Sequence, residues 1–309
     1  MHIEHGRDGL IRASLPLYDT IVCVQAACEP SVLDVAFARL RRYEALFSRT
    51  LPTSDVSRIH DSAGVPVKVA PETAELLGVA LDAARQTDGA LDITVGVVTR
   101  LWDFHGAGCA VDDAEITGAA SHIGYGKLHV QGRTAWLDDP AASLDLGGVA
   151  KGYIADKIAE YLRECGCTSA CIDLGGNIYA LGTRPDGAPW RVGVADPLDA
   201  EAAPIATVEL QDEALVTSAT TLRSVGTGSE RQSHIFNPKT GEPCKTDLLA
   251  VSVLAPTAFE AEALSTPLVM WGAPRAVREL RARPHLQALL LCADGRAAQT
   301  PGNRFNLCL

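Results

Sequence analysis

Three short stretches of the sequence carry residue types that can do chemistry together. The first is Asp145-Leu146-Gly147-Gly148-Val149-Ala150-Lys151-Gly152. It reads as a strand end, two glycines and an immediate helix start. Backbone N–H groups at such a start can approach an anion closely. Lys151 adds a positive charge in the first turn, and Asp145 can accept a hydrogen bond from a ligand. The same residues also serve as a tight strand-to-helix turn in which glycine answers to geometry alone. The stretch is neither the Gly-x-Gly-x-x-Gly fingerprint nor a phosphate loop of the Gly-Lys-Ser type.

The second stretch holds Glu262 and Thr266, four apart and therefore on one face of a predicted helix. A carboxylate and a hydroxyl are both oxygen ligands suited to magnesium, and a carbonyl from the Gly147-Gly148 turn would complete the set. The plain alternative is an amphipathic helix with an exposed Glu. Pro267 cannot donate to the Ala263 carbonyl, so a kink beside Thr266 is expected. The third stretch is Ser233 to Gly241, a strand running into a turn with His234 near its end. A histidine there can act as a general base near neutral pH, or it can be a hydrogen-bonded structural residue.

The elements that must position these residues can be read from periodicity. Ser31–Phe47 is an expected helix, with Leu33, Phe37, Leu40 and Phe47 on its apolar face and Ser31 with Asp34 as its cap. Pro71–Gln86 is a second, with Gly89 just past its end. Ser143–Leu146 reads as a short strand ahead of a helix reaching Cys165, with Gly166 as its stop. Expected strands are Asp19–Ala27, Ser169–Asp173, Ile178–Leu181, Trp190–Ala195, Ile205–Leu210, Ser233–Phe236, Leu249–Ala255 and Leu286–Ala293. A strand pair is expected around Gln131-Gly132 within Lys127–Asp138, and helices over Phe259–Trp271 and Arg275–Arg281. No regular βαβ rhythm runs through them, which points to a mixed α/β or α+β architecture without a sharp linker.

Composition narrows the function classes. The chain has 309 residues, 47% hydrophobic and 21% charged, enough for a sizeable core without staples. Its net charge of −11 argues against nucleic acid as a partner, because such binding leans on Lys and Arg. No run approaches about 18 apolar residues, so no membrane span is expected. The first residues show no basic region followed by an apolar run, so no signal peptide is read there and a cytoplasmic location is expected. The nine cysteines form no Cys-x-x-Cys pair, which disfavours structural zinc and suits reduced thiols.

Taken together, the stretches resemble the FAD:protein FMN transferase (ApbE) family. The resemblance runs through Phe47-Ser48 with Ser54-Asp55-Val56-Ser57-Arg58, then Asp88-Gly89-Ala90-Leu91-Asp92-Ile93-Thr94-Val95-Gly96. It continues through Asp145–Tyr153, Gly175-Gly176-Asn177, Pro189-Trp190, His234–Gly241 and the Ala261–Gly272 helix, in order, from about Thr20 to near the C-terminus. It implies an α+β fold of largely antiparallel sheets with flanking helices. It implies a single domain over residues 1–309, with two lobes flanking the FAD site as the variant of that arrangement. It also implies a magnesium-dependent transfer of FMN from FAD to a Ser or Thr of a target flavoprotein, releasing AMP.

By that resemblance, Ala90, Leu91, Asp92, Asp145, Lys151, Thr20 and His60 hold FAD. Gly148, Glu262 and Thr266 hold Mg2+, and His234 is the catalytic base. Several residues depart from the family pattern. Glu262 stands for Asp, Asn237 for Asp, Leu91 for Phe and His60 for Asn. Tyr18-Asp19-Thr20 stands for Met-Gly-Thr, and Thr217-Ser218 lacks the Gly and Tyr that usually follow. The competing readings are an FAD pyrophosphatase on the same site and a flavin-binding protein without catalysis.

Overall fold

A computed structural model describes the chain except Arg7, residues 103–110, Ala200, residues 222–223 and 226–231, and Leu309. Seven helices are found among the described residues: α1 (Pro30–Phe47), α2 (Asp55–Asp61), α3 (Pro71–Gln86), α4 (Gly96–Thr99), α5 (Asp113–Ala120), α6 (Ala150–Glu164) and α7 (Ala258–Arg281). The principal sheet has nine strands. In spatial order they are β1 (His2–His5), β2 (Ile11–Leu17), β3 (Thr20–Ala26), β7 (Ser169–Leu174), β8 (Asn177–Gly182), β11 (Glu213–Ala219), β14 (Leu248–Ala255), β15 (Gln287–Cys292) and β16 (Ala297–Gln299). Every neighbouring pair is antiparallel.

Three smaller sheets complete the fold. They are β17 (Asn306–Leu307) with β10 (Ala206–Leu210) and β9 (Trp190–Val194); β4 (Val67–Lys68) with β6 (Thr134–Leu137) and β5 (Leu128–Gln131); and β12 (Ser224–Val225) with β13 (Gln232–Ser233). The architecture is α+β and largely antiparallel, as the resemblance implies.

The middle of the nine-stranded sheet is buried on both faces, which explains the nearly continuous apolar run of β14, while the edge strand β1 is exposed. Helices α1, α6 and α7 cover one face through Leu33, Phe37, Leu40, Ile154, Ile158 and Leu268. The other face packs Leu215, Leu254 and Leu289 against Trp190, Val192 and Val208 of the small sheet. β9 alternates buried and exposed residues strictly, as a one-sided strand must. Tyr43 and Phe47 on α1 meet Tyr153 on α6 with ring centroids about 6 Å apart, and this contact fixes the start of α6.

Several local expectations are corrected. The α1 N-cap is Glu29 with Pro30 in the first turn, so Ser31 and Asp34 lie inside the helix and do not cap it. Ser143–Leu146 joins no sheet beyond one bridge, Ser143 to Val95, because the chain turns at once into α6. Of Ser233–Phe236 only Ser233 lies in a strand. The backbone of α7 stays helical through Pro267 and breaks at Gly272, with φ 71°. There Asp247 Oδ1 accepts the Ala273 N–H at 2.9 Å, and Thr246 donates to the Val269 carbonyl at 2.7 Å. These two side chains cap the ends that the break exposes.

Candidate active site

Two helices cross at the centre of the site. Gly152 on α6 lies so close to α7 that a Cβ there would come within 2.4 Å of the Ala258 carbonyl oxygen, so only glycine fits. The closeness lets the Gly152 N–H donate to Glu262 Oε2 at 2.6 Å, across the crossing. In a helix extended backward, that amide would bond to the carbonyl of Gly148, four residues earlier. Instead it is turned to Glu262, and the half-buried Gly148 carbonyl is spared that bond.

Glu262 is buried, and burial holds its carboxyl above the usual carboxylate range, with Lys151 and the Gly152 amide pulling the other way. The buried Asn177 amide lies beside it, with Nδ2 short of a well-aligned hydrogen bond. One turn along α7, Thr266 Oγ1 is 3.1 Å from Ser218 Oγ on β11. The donor set at this place is a carboxylate, a hydroxyl and a spared carbonyl, all hard oxygens of the kind a magnesium ion takes. Among the described residues no group of three His, Cys, Asp or Glu is placed to hold a metal. A cation here must therefore rely on hydroxyl and backbone oxygens beside one acidic side chain.

Asp145 organises the turn before α6. Its Oδ1 accepts the Gly147 N–H at 2.8 Å, its Oδ2 accepts the Thr99 hydroxyl at 2.7 Å, and Arg49 Nε lies 3.7 Å from Oδ2. A carboxylate has about four lone-pair sites, so capacity remains for a ligand. Lys151 follows in the first turn of α6, within electrostatic reach of Glu262 and Asp173. His60 Nδ1 meets the Ala142 carbonyl at 3.1 Å and so braces the segment leading to Asp145. Thr20 packs on the Gly175 turn, where a Cβ would meet its Oγ1 at 2.4 Å.

The Ala90-Leu91-Asp92 segment runs alongside this turn. The Asp145 N–H donates to the Ile93 carbonyl at 2.7 Å, and Leu91 faces Gly148. Asp92 is buried and its oxygens are engaged within the chain. Oδ1 accepts the Thr94 N–H and hydroxyl at 2.8 and 2.6 Å, and Oδ2 accepts the Tyr125 N–H at 2.7 Å. Burial pushes its carboxyl up, and those bonds oppose the shift. At this place the chain presents the backbone of Ala90 and Leu91, held rigid by Asp92.

A cleft of about 270 Å³ joins this segment to the stretch that follows His234. Thr87, Asp88, Gly89 and Ala90 form one wall, Asn237 and Lys239 the other, with Trp271 and Arg275 also lining it. Lys239 Nζ approaches Asp88 at 3.4 Å across it. His234 is half-buried and precedes two buried residues, Ile235 and Phe236, which fix its backbone. Asn237 Oδ1 accepts the Lys239 N–H at 3.0 Å, the turn bond that an Asp would make.

Two contributors escaped the reading of the sequence. Thr99 reaches Asp145 only through the short α4, and Ser218 reaches Thr266 only because β11 lies under α7. No spacing rule links either pair, although Thr217-Ser218 is one of the segments set against the family pattern.

The comparisons agree with this geometry. The model of the ApbE family matches residues 17–290, and the chain belongs to that family. It is 31% identical over 316 residues to the FAD:protein FMN transferase of Treponema pallidum (strain Nichols), covering 97% of this chain and 87% of that protein. It is 31% identical over 265 residues to the FAD:protein FMN transferase of Escherichia coli (strain K12), covering 83% of this chain and 75% of that one. Among solved structures, the ApbE protein of Thermotoga maritima superposes with a TM-score of 0.86 at 26% identity, over 94% of this chain and 97% of that one. The flavin transferase ApbE of Vibrio cholerae gives 0.83 at 26% identity, over 97% of both.

Proposed function

We propose that this chain is a magnesium-dependent FAD:protein FMN transferase, moving FMN from FAD onto a Ser or Thr hydroxyl of a target flavoprotein. The observation that carries the reading is the Gly152–Glu262 contact at 2.6 Å. It brings a buried carboxylate to the start of the helix that bears Lys151, close in sequence to the spared Gly148 carbonyl, and Thr266 follows Glu262 one turn along α7. The bound cation would offset charge on the pyrophosphate.

The chain's own residues do the rest. Asp145, Lys151 and the backbone of Ala90 and Leu91 hold FAD, with Asp92, Thr20 and His60 bracing that cradle. His234 takes the proton of the acceptor hydroxyl. The freed oxygen attacks the phosphorus on the FMN side, the bond from that phosphorus to the bridging oxygen breaks, and AMP leaves carrying that oxygen. Lys151 would offset the negative charge that gathers on the leaving group. The cleft between Ala90 and Lys239, beside the stretch that follows His234, would admit the acceptor segment.

A cytoplasmic site of action belongs to the same reading, supported by the eight described cysteines, all free thiols. Cys109 lies outside the described residues. The test is AMP release from FAD with and without an acceptor protein. AMP formed only when acceptor and magnesium are both present supports transfer. AMP formed without acceptor would mean hydrolysis, and FAD bound with no AMP would mean a binding protein.

A further inference from the structure

The hydroxyls beside Thr266 form a chain whose direction can be worked out. Ser265 Oγ–H donates to the Glu262 carbonyl at 3.1 Å. A hydroxyl has one proton, so Ser265 has none left for its other neighbour. The 2.7 Å contact between Ser218 Oγ and Ser265 Oγ must then use the proton of Ser218. That leaves Ser218 without a proton for Thr266, and the 3.1 Å contact between them must use the proton of Thr266. Thr266 Oγ1 therefore donates to Ser218, with its proton turned toward β11 and its lone pairs free for other partners.

We infer that Ser218 is a positioning residue for the cation site: it draws the Thr266 proton away, so that Oγ1 meets a divalent cation as a pure acceptor. The inference rests on the reading of Glu262, Thr266 and Gly148 as cation ligands. Without Ser218 the Thr266 hydroxyl would be free to rotate, and a proton aimed at the cation would oppose binding. Ser265 is fully buried and fixes the far end of the chain, which sets its polarity. Partners that orient metal ligands typically change affinity by about 10- to 100-fold when removed.

The experiment measures Mn2+ affinity of the full chain with FAD present, by the electron paramagnetic resonance signal of free Mn2+, alongside thermal melting. Ser218→Ala should weaken Mn2+ binding on the order of tenfold. Ser218→Thr, which restores a hydroxyl, should recover most of it. In a Thr266→Ala background, Ser218→Ala should add little, because the two act through one oxygen. A purely structural serine would weaken both backgrounds equally, and that result would overturn the inference. So would unchanged affinity in Ser218→Ala while Thr266→Ala loses binding, an outcome that leaves the cation site itself standing. If the unaltered protein takes up no Mn2+, or if Thr266→Ala and Glu262→Gln both bind it as the unaltered protein does, the cation reading fails and the inference fails with it.

Discussion

The Gly152 amide and the Glu262 carboxylate meet at 2.6 Å across the crossing of α6 and α7. The contact ties the start of α6, just after the Gly147-Gly148 turn, to the helix that carries Glu262. The Glu262 side chain is long enough to reach the amide of the opposite helix.

Glu262→Gln keeps the size and an acceptor for the Gly152 amide but removes the charge. The protein should fold with a melting temperature near that of the original, since a neutral group replaces a buried carboxylate. Cation-dependent FMN transfer should fall on the order of 100-fold or more, as expected when a metal site loses its acidic ligand. Steady-state rates against Mg2+ concentration, beside a melting curve, check both halves.

Gly152→Ala should be destabilising by about 1–3 kcal/mol, because the added methyl must push the Ala258 backbone away. Activity should fall with it, since the helices separate where Glu262 meets the turn. Chemical denaturation measures the first effect. Gly78, whose Cβ position is open, is the control on α3, where Gly78→Ala should be neutral or slightly stabilising.

The outcome at the α6–α7 crossing shows what the sequence could carry. The helix over Pro71–Gln86 is legible to the residue, because its proline start and apolar period are local signals. Asp145, Lys151, Glu262 and Thr266 are legible as chemistry because their spacings are helical or turn-bound. Strand β11 is not among the expected strands, and without it nothing shows that Ser218 meets Thr266. The break at Gly272 falls between the two expected helices, Phe259–Trp271 and Arg275–Arg281, whereas the kink expected at Pro267 is absent, and the carboxylate that caps the break comes from Asp247, twenty-five residues earlier in the chain. The bonds that Asp92 accepts from Thr94 and Tyr125 are likewise invisible in the sequence, because Tyr125 is far along the chain. In each case the missing information was a tertiary neighbour.

His234→Ala should abolish transfer while leaving FAD bound, since the proposal gives the histidine the proton transfer and leaves the holding of FAD to other residues. Equilibrium binding followed by flavin fluorescence, set beside AMP formation, separates the two. Full activity in this variant would remove His234 from the mechanism.

Asp156 gives the protein a pH dependence unrelated to catalysis. Its carboxylate accepts the Ala258 and Phe259 N–H groups at 2.8 and 2.9 Å, at the start of α7. Burial pushes its pKa up to about 6 from an ordinary 3.8, against the pull of those two bonds. The folded state thus holds a proton that the unfolded chain has already released between these values. Stability from this group is present in full below the lower value and is lost as pH rises through about 6. Asp156→Asn should flatten that part of the profile. Denaturation midpoints at a series of pH values from below 4 to above 6, compared between the two proteins, test the sign.

The central claim is tested most directly by incubating the full chain with FAD, Mg2+ and a flavoprotein carrying an acceptor Ser or Thr, then taking the intact mass of the acceptor. The account predicts a covalent FMN adduct with one AMP released per adduct, absent when the cation is chelated. AMP without an adduct, or an adduct formed equally well after chelation, would contradict it.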